Sequence, residues 1–581
     1  MTIAIDDSSN HEHHPRASQD GLSYAYGVPL AAEGGIGALT LGAYIREITA
    51  RFGPREAAAI HLPLGVERWT YTELWERSLA VARSLYACGV GKGTRVGLLI
   101  TNRLEFLSSM FGAALAGAVP TPISTFFTAT ELGEVLKASG CSVLLLERNV
   151  LKKDFVAVLE EVEPAIGAAA PGALTSTTLP FLRFLARVDG DEGKGAVEGW
   201  QSFLARGAQV ADALITATSA AVSPSDPGVL FFSSGSTGKA KGILSTQRSA
   251  CLQLWRWKQW YAIEEPPRTW SANGFFFSGN FSMAFGSTLT SGGTLILQRY
   301  FAAEAALALM EKERATMLLA WPHQWAQLQG ASNFASVDLS SMHYLDARSP
   351  LAQHPTIQTD WLEPQQAYGS TETFTLISVF PSGTPLEDMP AGSHGFPTAG
   401  SVIKIVDPLT GKPVPQGEKG EIAVKGPTLM MGYLGKAPDE TLDPDGFFLT
   451  GDGGYIDGEG RLFWEGRLSD IIKTGGANVS PLEIDGVLRD VPGVKIVQTV
   501  GVPDALLGEL VVSCVVPHAG HVLAEADIRN FGRQKLASYK VPRRVLFFGE
   551  EELQTTGSAK IKTAALRDLA AKRIKAESSA S

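Results

Sequence analysis

Cysteine is scarce in this chain, which has four among 581 residues: Cys88, Cys141, Cys251 and Cys514. They lie far apart, so no pair has the short spacing typical of a zinc site or a redox motif. We interpret them as reduced thiols and expect a cytoplasmic location. Residues 1–7 are acidic and lack the cationic start and apolar centre of a signal peptide, which agrees with that expectation.

Long apolar runs and long basic runs are also missing. The longest apolar candidate, residues 106–119, is interrupted by Ser108 and Ser109 and followed by Pro120 and Pro122, so no membrane span is expected. The formal net charge is -10, whereas a protein that binds nucleic acid normally carries a basic patch, so no nucleic acid is expected as a partner. No heptad repeat is present, and the sequence does not predict an oligomeric state.

Hydrophobic residues make up 45% of the chain and charged residues 19%, which favours a large folded core over broad disorder. From residue 39 onward, apolar strand patterns alternate with helical patterns. This alternation is typical of mostly parallel sheets covered by helices. Short β segments separated by Gly and Pro follow between residues 395 and 455, and a mixed pattern then returns.

These patterns predict an α/β fold in three parts. Residues 1–35 are expected to form a disordered tail. Residues 36–467 are expected to form a large N-terminal domain of stacked α/β subdomains plus a small β unit, with residues 164–225 as connecting structure. Residues 468–581 are expected to form a smaller α+β domain at the C-terminus.

The most informative stretch is a glycine-rich loop at residues 230–242, with the sequence LFFSSGSTGKAKG. Three apolar residues lead into hydroxyl side chains, glycines and lysines, with no acidic side chain among them. Glycine permits positive φ and close approach of the backbone, so such a loop can surround a phosphate chain. It is not a Walker A motif, because only two residues separate Gly235 from Gly238. The alternative is a flexible surface loop.

Further motifs follow in order: YGSTE at 368–372, LTGD at 449–452, GRLSD at 466–470, KTGGANVSPLEI at 473–484 and GSAK at 557–560. With the glycine-rich loop, this order resembles the adenylate-forming (AMP-binding) superfamily of acyl-CoA synthetases, carrier-protein adenylation domains and beetle luciferases. The resemblance extends over roughly residues 39–566. It implies an enzyme that joins a carboxylate to the α-phosphorus of ATP, releases pyrophosphate and passes the acyl group to a thiol. Residues 36–467 would then bind ATP and the acid, and residues 468–581 would be mobile.

The resemblance also implies which residues bind ATP. The loop would hold the β- and γ-phosphates, Tyr368 would pack on adenine, and Thr371 would contact the α-phosphate. Asp452 would accept hydrogen bonds from the ribose hydroxyls, with Arg467 assisting. The alternative is that residues 368–372 form a turn with a helix cap and that Asp452 is a turn residue. The implied ATP- and AMP-binding set is Ser233, Ser234, Gly235, Ser236, Thr237, Gly238, Lys241, Tyr368, Gly369, Thr371, Asp452 and Arg467.

The implied catalytic residues are Lys560, Thr371 and Glu372. Glu372 matches a carboxylate that binds Mg²⁺, and oxygen ligands are what this hard cation prefers. Lys560 matches a lysine that reaches the reacting carboxylate and the α-phosphate, where it would offset negative charge. The family usually has Gly before this lysine, whereas this chain has Ala559, and Lys562 nearby leaves open that Lys560 is an ordinary surface residue.

The second half-reaction is implied to use CoA. Ser469 stands at the family's hinge position, where Asp or Lys is more common. Lys473, Gly475 and Gly476 would face the thiol tunnel, and the stretch GGANVSP looks more like CoA ligases than carrier-protein adenylation domains. No phosphopantetheine-attachment domain is recognisable, so CoA is the expected acceptor. Two alternatives stay open: an enzyme that loads a separate carrier protein, and a non-catalytic nucleotide-binding relative.

Large aromatic side chains are expected to line the acyl pocket. The predicted set is Phe276, Phe277, Phe281, Trp321 and Arg348, and the resemblance places Phe277 where many relatives carry His. A mainly apolar pocket favours a hydrophobic acid, which could be aromatic, cyclic or fatty. The alternative is that these aromatic residues fill the core. The expected partners are therefore ATP, Mg²⁺, CoA and a hydrophobic acid that the sequence does not identify.

Overall fold

The computed structural model describes residues 16–234, 240–364, 366–474, 477–555 and 561–580. The chain divides into two compact units. Unit 1 includes Tyr26–Val402 and Val424–Phe448, and unit 2 includes Arg16–Ala25, Ile403–Ala423 and Leu449–Ser581. The sequence predicted a domain boundary between residues 467 and 468, whereas the last segment of unit 2 begins at Leu449. The predicted start of a mobile domain at residue 468 stays a prediction.

Unit 1 contains a five-stranded sheet in which all neighbouring strands are parallel. Its central strands are short runs of buried apolar residues, as expected where both faces are covered. The predicted α/β alternation is thereby confirmed. The expectation for residues 164–225 is wrong, because they supply two of the strands. In sheet order the strands are Val197–Glu198, Phe184–Arg187, Val143–Leu146, Arg95–Leu99 and Val119–Pro122.

A second five-stranded sheet in unit 1 is parallel except for one hairpin at its edge. In order its strands are Met317–Leu319, Arg268–Ser271, Thr294–Leu297, Glu56–Leu62 and Gly65–Thr70. The segments that follow Arg268–Ser271 and Met317–Leu319 leave the same edge, because these two neighbouring strands run parallel. Ligands of α/β proteins usually bind at the carboxyl ends of such strands.

Helices cover both sheets. Leu104–Leu115 lies inside the unit, since every residue in it except Glu105 is buried. Tyr71–Ala87 and Ala129–Ser139 each begin with a Thr–Glu capping box, which satisfies backbone N–H groups in their first turn. The helices of unit 1 are Leu41–Phe52, Tyr71–Ala87, Leu104–Leu115, Ala129–Ser139, Phe155–Val162, Ala165–Ala168, Trp200–Arg206, Asp212–Ala220, Gln247–Trp260, Ser278–Thr288, Ala303–Lys312 and Pro322–Gln329.

Small antiparallel sheets complete unit 1, and two of them carry predicted site residues. The first joins Pro227–Ser234, Ala240–Thr246 and Gly432–Tyr433. The second joins Tyr368–Ser370, Thr375–Val379 and Phe396–Pro397. A two-stranded ribbon joins Asn149–Val150 and Lys153–Asp154.

Most of a six-stranded sheet belongs to unit 2, which confirms the predicted β unit. The predicted tail is wrong for residues 16–35. Ser23 donates its N–H to the Val414 carbonyl at 2.9 Å, and in unit 1 the Glu33 carboxylate bonds the buried Arg256 guanidinium at 2.8 Å. Long-range partners therefore fix this polar segment. In sheet order the strands are Arg16–Ala17, Tyr24–Tyr26, Val402–Val406, Gly420–Lys425, Phe448–Ile456 and Leu462–Arg467.

A mixed α+β arrangement forms the rest of unit 2, as predicted. Four strands lie in antiparallel order, and a fifth, Arg544–Phe547, runs parallel to Gly508–Pro517. The antiparallel strands are Ala477–Val479, Ile472–Thr474, Gly508–Pro517 and Val494–Asp504, and the helices are Pro481–Leu488, Glu525–Lys535 and Thr563–Ala580. Throughout the described ranges, none of the helices has the length and apolar character that crossing a membrane requires.

Candidate active site

The predicted phosphate-binding residues lie on an antiparallel hairpin formed by Pro227–Ser234 and Ala240–Thr246. Ser233 is paired with Lys241 across the hairpin, and the buried Phe231 anchors the first strand in the core. The hairpin therefore brings both ends of the glycine-rich loop together. The tip of the loop falls outside the described residues, so the roles of Gly235, Ser236, Thr237 and Gly238 stay predictions.

Tyr433, which sequence reasoning missed, connects two predicted site residues. Its strand pairs with the hairpin, with Tyr433 opposite Ile243. The Tyr433 hydroxyl donates to Glu372 Oε1 at 2.8 Å, and Lys241 Nζ lies 5.4 Å from the centre of its ring. The structure thus gathers a lysine, a phenol and a carboxylate at one place. The only sequence signal was an aromatic residue directly after Gly432, which is too common to be diagnostic.

The turn after Tyr368–Ser370 has an unusual backbone. Phe374 and Thr375 have φ of 51° and 96°, in the left-handed region that favours glycine. A Cβ placed on Gly369 would lie 1.8 Å from the Thr375 carbonyl oxygen, so only glycine fits there. Strain of this kind persists where the surroundings hold it, and it concentrates at functional sites. The backbone therefore fixes the position of the intervening Thr371 and Glu372.

Thr371 and Tyr368 both belong to this turn. The Ser278 hydroxyl donates to the Thr371 hydroxyl oxygen at 3.3 Å, which links the turn to the start of the helix Ser278–Thr288. Tyr368 is 7% exposed, so its ring is mostly covered by protein. The structure thus brings Ser278, which the sequence did not single out, next to a predicted catalytic residue.

Asp452 and Arg467 lie directly opposite each other on neighbouring strands of unit 2. Arg467 Nε lies 3.0 Å from Asp452 Oδ1, and Arg467 also donates to the Thr450 carbonyl at 3.0 Å. Asp452 is buried, whereas Arg467 is exposed. A buried carboxylate held by a partly solvated guanidinium has the acceptor chemistry that a vicinal diol requires.

The predicted hinge and CoA-binding residues lie after this strand pair. Ser469 is exposed in a short 3-10 turn, Leu468–Asp470. Lys473 is exposed on the strand Ile472–Thr474, and its backbone N–H donates to Glu509 at 2.7 Å. Gly475, Gly476 and Lys560 lie outside the described residues, so their roles stay predictions.

A cavity of about 30 Å³ lies at the carboxyl ends of the parallel strands in unit 1. Trp321, Trp325 and Trp361 contribute its aromatic walls, and the buried amides of Asn273 and Asn280 lie among them. The Asn280 amide is fixed, since it donates to the Asn273 backbone carbonyl at 2.7 Å and accepts from a serine hydroxyl, and the Asn273 amide oxygen accepts from Gln324 at 3.0 Å. Trp321 lines this cavity, and its assignment to an acid-binding pocket stays a prediction.

Phe276 and Phe277 extend the aromatic surface beyond the cavity. The ring centre of Phe277 lies 5.6 Å from that of Trp321 and 4.8 Å from that of Phe276. Phe276 in turn contacts Phe126, a half-exposed residue at 53%, with ring centres 5.5 Å apart. A continuous set of aromatic rings therefore runs from the surface to Trp321.

Two predicted pocket residues have other positions. Phe281 is fully buried in the core against Phe231, Phe285 and Phe374, and it is not part of the cavity wall. The cause is helical geometry: at about 100° per residue, Phe281 faces away from Asn280 and Met283, which do line the cavity. Arg348 does not line it either.

Arg348 instead binds Asp346, which lines the cavity. Its Nη2 donates to Asp346 Oδ2 at 2.7 Å, and its Nε donates to Asp346 Oδ1 at 2.9 Å. The guanidinium therefore neutralises a cavity carboxylate, and Arg348, which was predicted to belong to the acyl pocket, does not line this cavity.

Glu372 is the predicted ligand of Mg²⁺. Its carboxylate is partly exposed, and the Tyr433 hydroxyl orients it. In the described part of the chain, no group of three or more His, Cys, Asp or Glu side chains could hold a metal by itself. Mg²⁺ in nucleotide enzymes commonly takes one or two carboxylates plus substrate phosphates. The residues present thus fit a metal that is shared with a bound polyphosphate.

Sequence profiles cover most of the chain. A profile described as AMP-binding enzyme matches residues 47–434, and one described as AMP-binding enzyme C-terminal domain matches residues 483–560. A feruloyl-CoA synthase from an Amycolatopsis species is 31% identical over 517 residues, covering 88% of this chain and 95% of that protein.

A second relative is the 3-[(3aS,4S,7aS)-7a-methyl-1,5-dioxo-octahydro-1H-inden-4-yl]propanoyl:CoA ligase of Mycobacterium tuberculosis. It is 31% identical over 513 residues, covering 86% of this chain and 94% of the relative. The crystal structure of the anthranilate CoA ligase AuaEII in complex with anthranoyl-AMP shares the fold, with a TM-score of 0.74 at 23% identity. The match covers 94% of this chain and 100% of that one. The chain therefore belongs to the AMP-binding enzyme family, in the acyl-CoA synthetase branch of the adenylate-forming superfamily, and is an AMP-forming acid–thiol ligase.

Proposed function

We propose that this ligase uses ATP and Mg²⁺ to adenylate a hydrophobic carboxylic acid and then transfers the acyl group to CoA. The observation that carries the proposal is the aromatic surface from Phe276 through Phe277 to Trp321, close in the chain to Ser278, which contacts Thr371. Apolar walls with few polar groups suit an apolar acid. The two named relatives act on a feruloyl and a bicyclic propanoyl substrate, which also supports this class.

In the first step, a carboxylate oxygen of the acid attacks the α-phosphorus of ATP, and the bond to pyrophosphate breaks. The protein's main tasks are to align the reactants and to stabilise charge on the phosphates. Thr371, held by Ser278, would donate to an α-phosphate oxygen. Lys560 would place its ammonium near the reacting oxygens. Mg²⁺, held by Glu372, would supply further positive charge when bound.

In the second step, the CoA sulfur attacks the acyl carbonyl, and the bond to AMP breaks. Lys473, Gly475 and Gly476 would line the path of the thiol, and Ser469 would act as the hinge between the two half-reactions. Asp452 and Arg467 would hold the ribose of ATP and AMP. All four cysteines are free thiols, which supports the proposed cytoplasmic location.

The test is to supply the purified protein with MgATP, CoA and a panel of acids, and to measure pyrophosphate and thioester separately. Hydrophobic acids are expected to give both products, whereas short polar acids are expected to give neither. Pyrophosphate release without thioester would indicate an enzyme that loads a separate carrier protein. No pyrophosphate with any acid would refute the proposal.

A further inference from the structure

The cavity beside Trp321 contains a carboxyl group that the proposed reaction does not use. Glu363 lines the cavity together with Asp346, Trp325 and Trp361. A carboxyl group among aromatic walls is costly to bury unless it is hydrogen-bonded, so its presence calls for a partner.

Asp346 already has its partners. Arg348 donates to both of its oxygens, and the Glu363 backbone N–H donates to Oδ2 at 3.0 Å. Burial raises the pKa of the Asp346 carboxyl, but its hydrogen bonds and the charge of Arg348 outweigh burial and hold the pKa below its usual value. Asp346 therefore fixes the loop that carries Glu363 and has little capacity left for a ligand.

Glu363 has spare acceptor capacity. From the described residues, its carboxyl accepts one hydrogen bond, from the hydroxyl of the buried Tyr261 at 2.8 Å. A carboxylate offers about four acceptor positions. Burial raises the pKa of the Glu363 carboxyl, against the opposing Tyr261 hydrogen bond. The carboxyl is thus held in place by one donor and is still able to accept another.

One buried donor in the cavity wall has no partner in the described part of the chain. The indole Nε1–H of Trp325 is buried and has no acceptor among the described residues. Buried donors in proteins are nearly always paired, so each exception needs an explanation. A ligand hydroxyl next to this wall could donate a hydrogen bond to Glu363 and accept one from the Trp325 Nε1–H.

We propose that the acid substrate carries a hydroxyl group remote from its carboxylate, and that Glu363 accepts a hydrogen bond from this hydroxyl. The inference rests on the proposed function. A space of about 30 Å³ admits a water-sized polar group but no ring, so the apolar body of the acid would lie against Trp321 and Phe277. Glu363 would then be a specificity-determining residue rather than a catalytic one.

The experiment compares acids that differ only in the hydroxyl: para-hydroxycinnamate with cinnamate, para-hydroxyphenylacetate with phenylacetate, and ω-hydroxydodecanoate with dodecanoate. The kcat/KM for pyrophosphate release is measured for the wild type, Glu363→Leu and Glu363→Gln. For at least one pair, the wild type is expected to prefer the hydroxylated acid by about tenfold or more, because the acid without the hydroxyl loses the hydrogen bond to the partly buried Glu363 carboxyl. In Glu363→Leu, this preference is expected to disappear through loss of activity on the hydroxylated acid alone.

Glu363→Gln is expected to keep part of the preference, because its amide oxygen still accepts. Tyr261→Phe removes the donor that holds the Glu363 carboxyl, so it should weaken the hydroxyl preference less than Glu363→Leu does, and it tests the inference even if Glu363→Leu fails to fold. Equal activity on both members of every pair, or a preference that survives in Glu363→Leu, would overturn the inference. Adenylation without hydroxyl preference refutes this inference alone, whereas no adenylation of any acid refutes the proposed function as well.

Discussion

Asp485 provides a sharp test of the electrostatics of unit 2. It lies on the helix Pro481–Leu488, is 5% exposed, and has one carboxyl oxygen without a hydrogen-bond partner among the described residues. Burial raises the pKa of the Asp485 carboxyl from 3.8 to about 7, although Thr499 and the charge of Arg489 partly oppose the shift. The folded state therefore binds the proton more tightly than the unfolded chain does.

The sign of the pH dependence follows from this difference. The stabilising effect of the protonated carboxyl is complete below pH 3.8, declines as the pH rises, and is lost above a pH of about 7. At about 1.4 kcal/mol per pH unit, with the slope flattening near the folded-state pKa, the free energy of unfolding should fall by roughly 2 kcal/mol between pH 5 and pH 7. Asp485→Asn should lack this decrease and should be more stable than the wild type at pH 8, because the amide remains neutral.

Hydrogen exchange in the full-length protein can measure this effect locally, in amides of the strands Val494–Asp504 and Gly508–Pro517. Exchange rates are corrected for the intrinsic pH dependence, and protection is compared between pH 5 and pH 8. Asp490→Asn is the matched control, since the Asp490 side chain is 67% exposed and its removal should not alter the pH slope. The reasoning would be refuted if Asp485→Asn kept the same slope as the wild type.

Three further predictions concern the proposed reaction. Lys560→Ala should reduce adenylation by about 10²–10³-fold, while thioester formation from supplied acyl-AMP should change far less; equal losses in both steps would contradict the role. Asp452→Ala should raise the KM for ATP by about tenfold, and an unchanged KM would contradict ribose binding. Tyr433→Phe should weaken MgATP binding by about tenfold in calorimetry, because Glu372 loses the group that orients it; unaltered binding at limiting Mg²⁺ would exclude that role.

The sequence predicted the architecture where local patterns decide it. Buried strands such as Val143–Leu146 are continuous apolar runs, and helices such as Tyr71–Ala87 have clear apolar faces and caps. The strand Tyr24–Tyr26 was missed, because its polar surroundings resemble a tail until its distant partners are known. The two strands within residues 164–225 were missed for a different reason, because strands of four and two residues carry little periodicity.

The site was predictable to the extent that motifs specify it. Thr371, Glu372, Asp452 and Arg467 stand in motifs with a characteristic order, and the fold places Asp452 opposite Arg467. Tyr433 and Glu363 stand in no such motif. Their importance depends on contacts with residues 61 and 102 positions away, which no local pattern could reveal.

The helix Ser278–Thr288 explains how acid recognition and phosphate chemistry are connected in unit 1. Its first residue, Ser278, contacts Thr371, whereas Asn280 and Met283 line the cavity. Phe281 and Phe285 lie on the opposite side, at about 100° per residue, and pack in the core with ring centres 4.5 Å apart. Core packing therefore fixes the rotation of the helix. Because the same rotation sets both Ser278 and the cavity wall, a change in the packing of Phe281 should disturb acid selection and the position of Thr371 together.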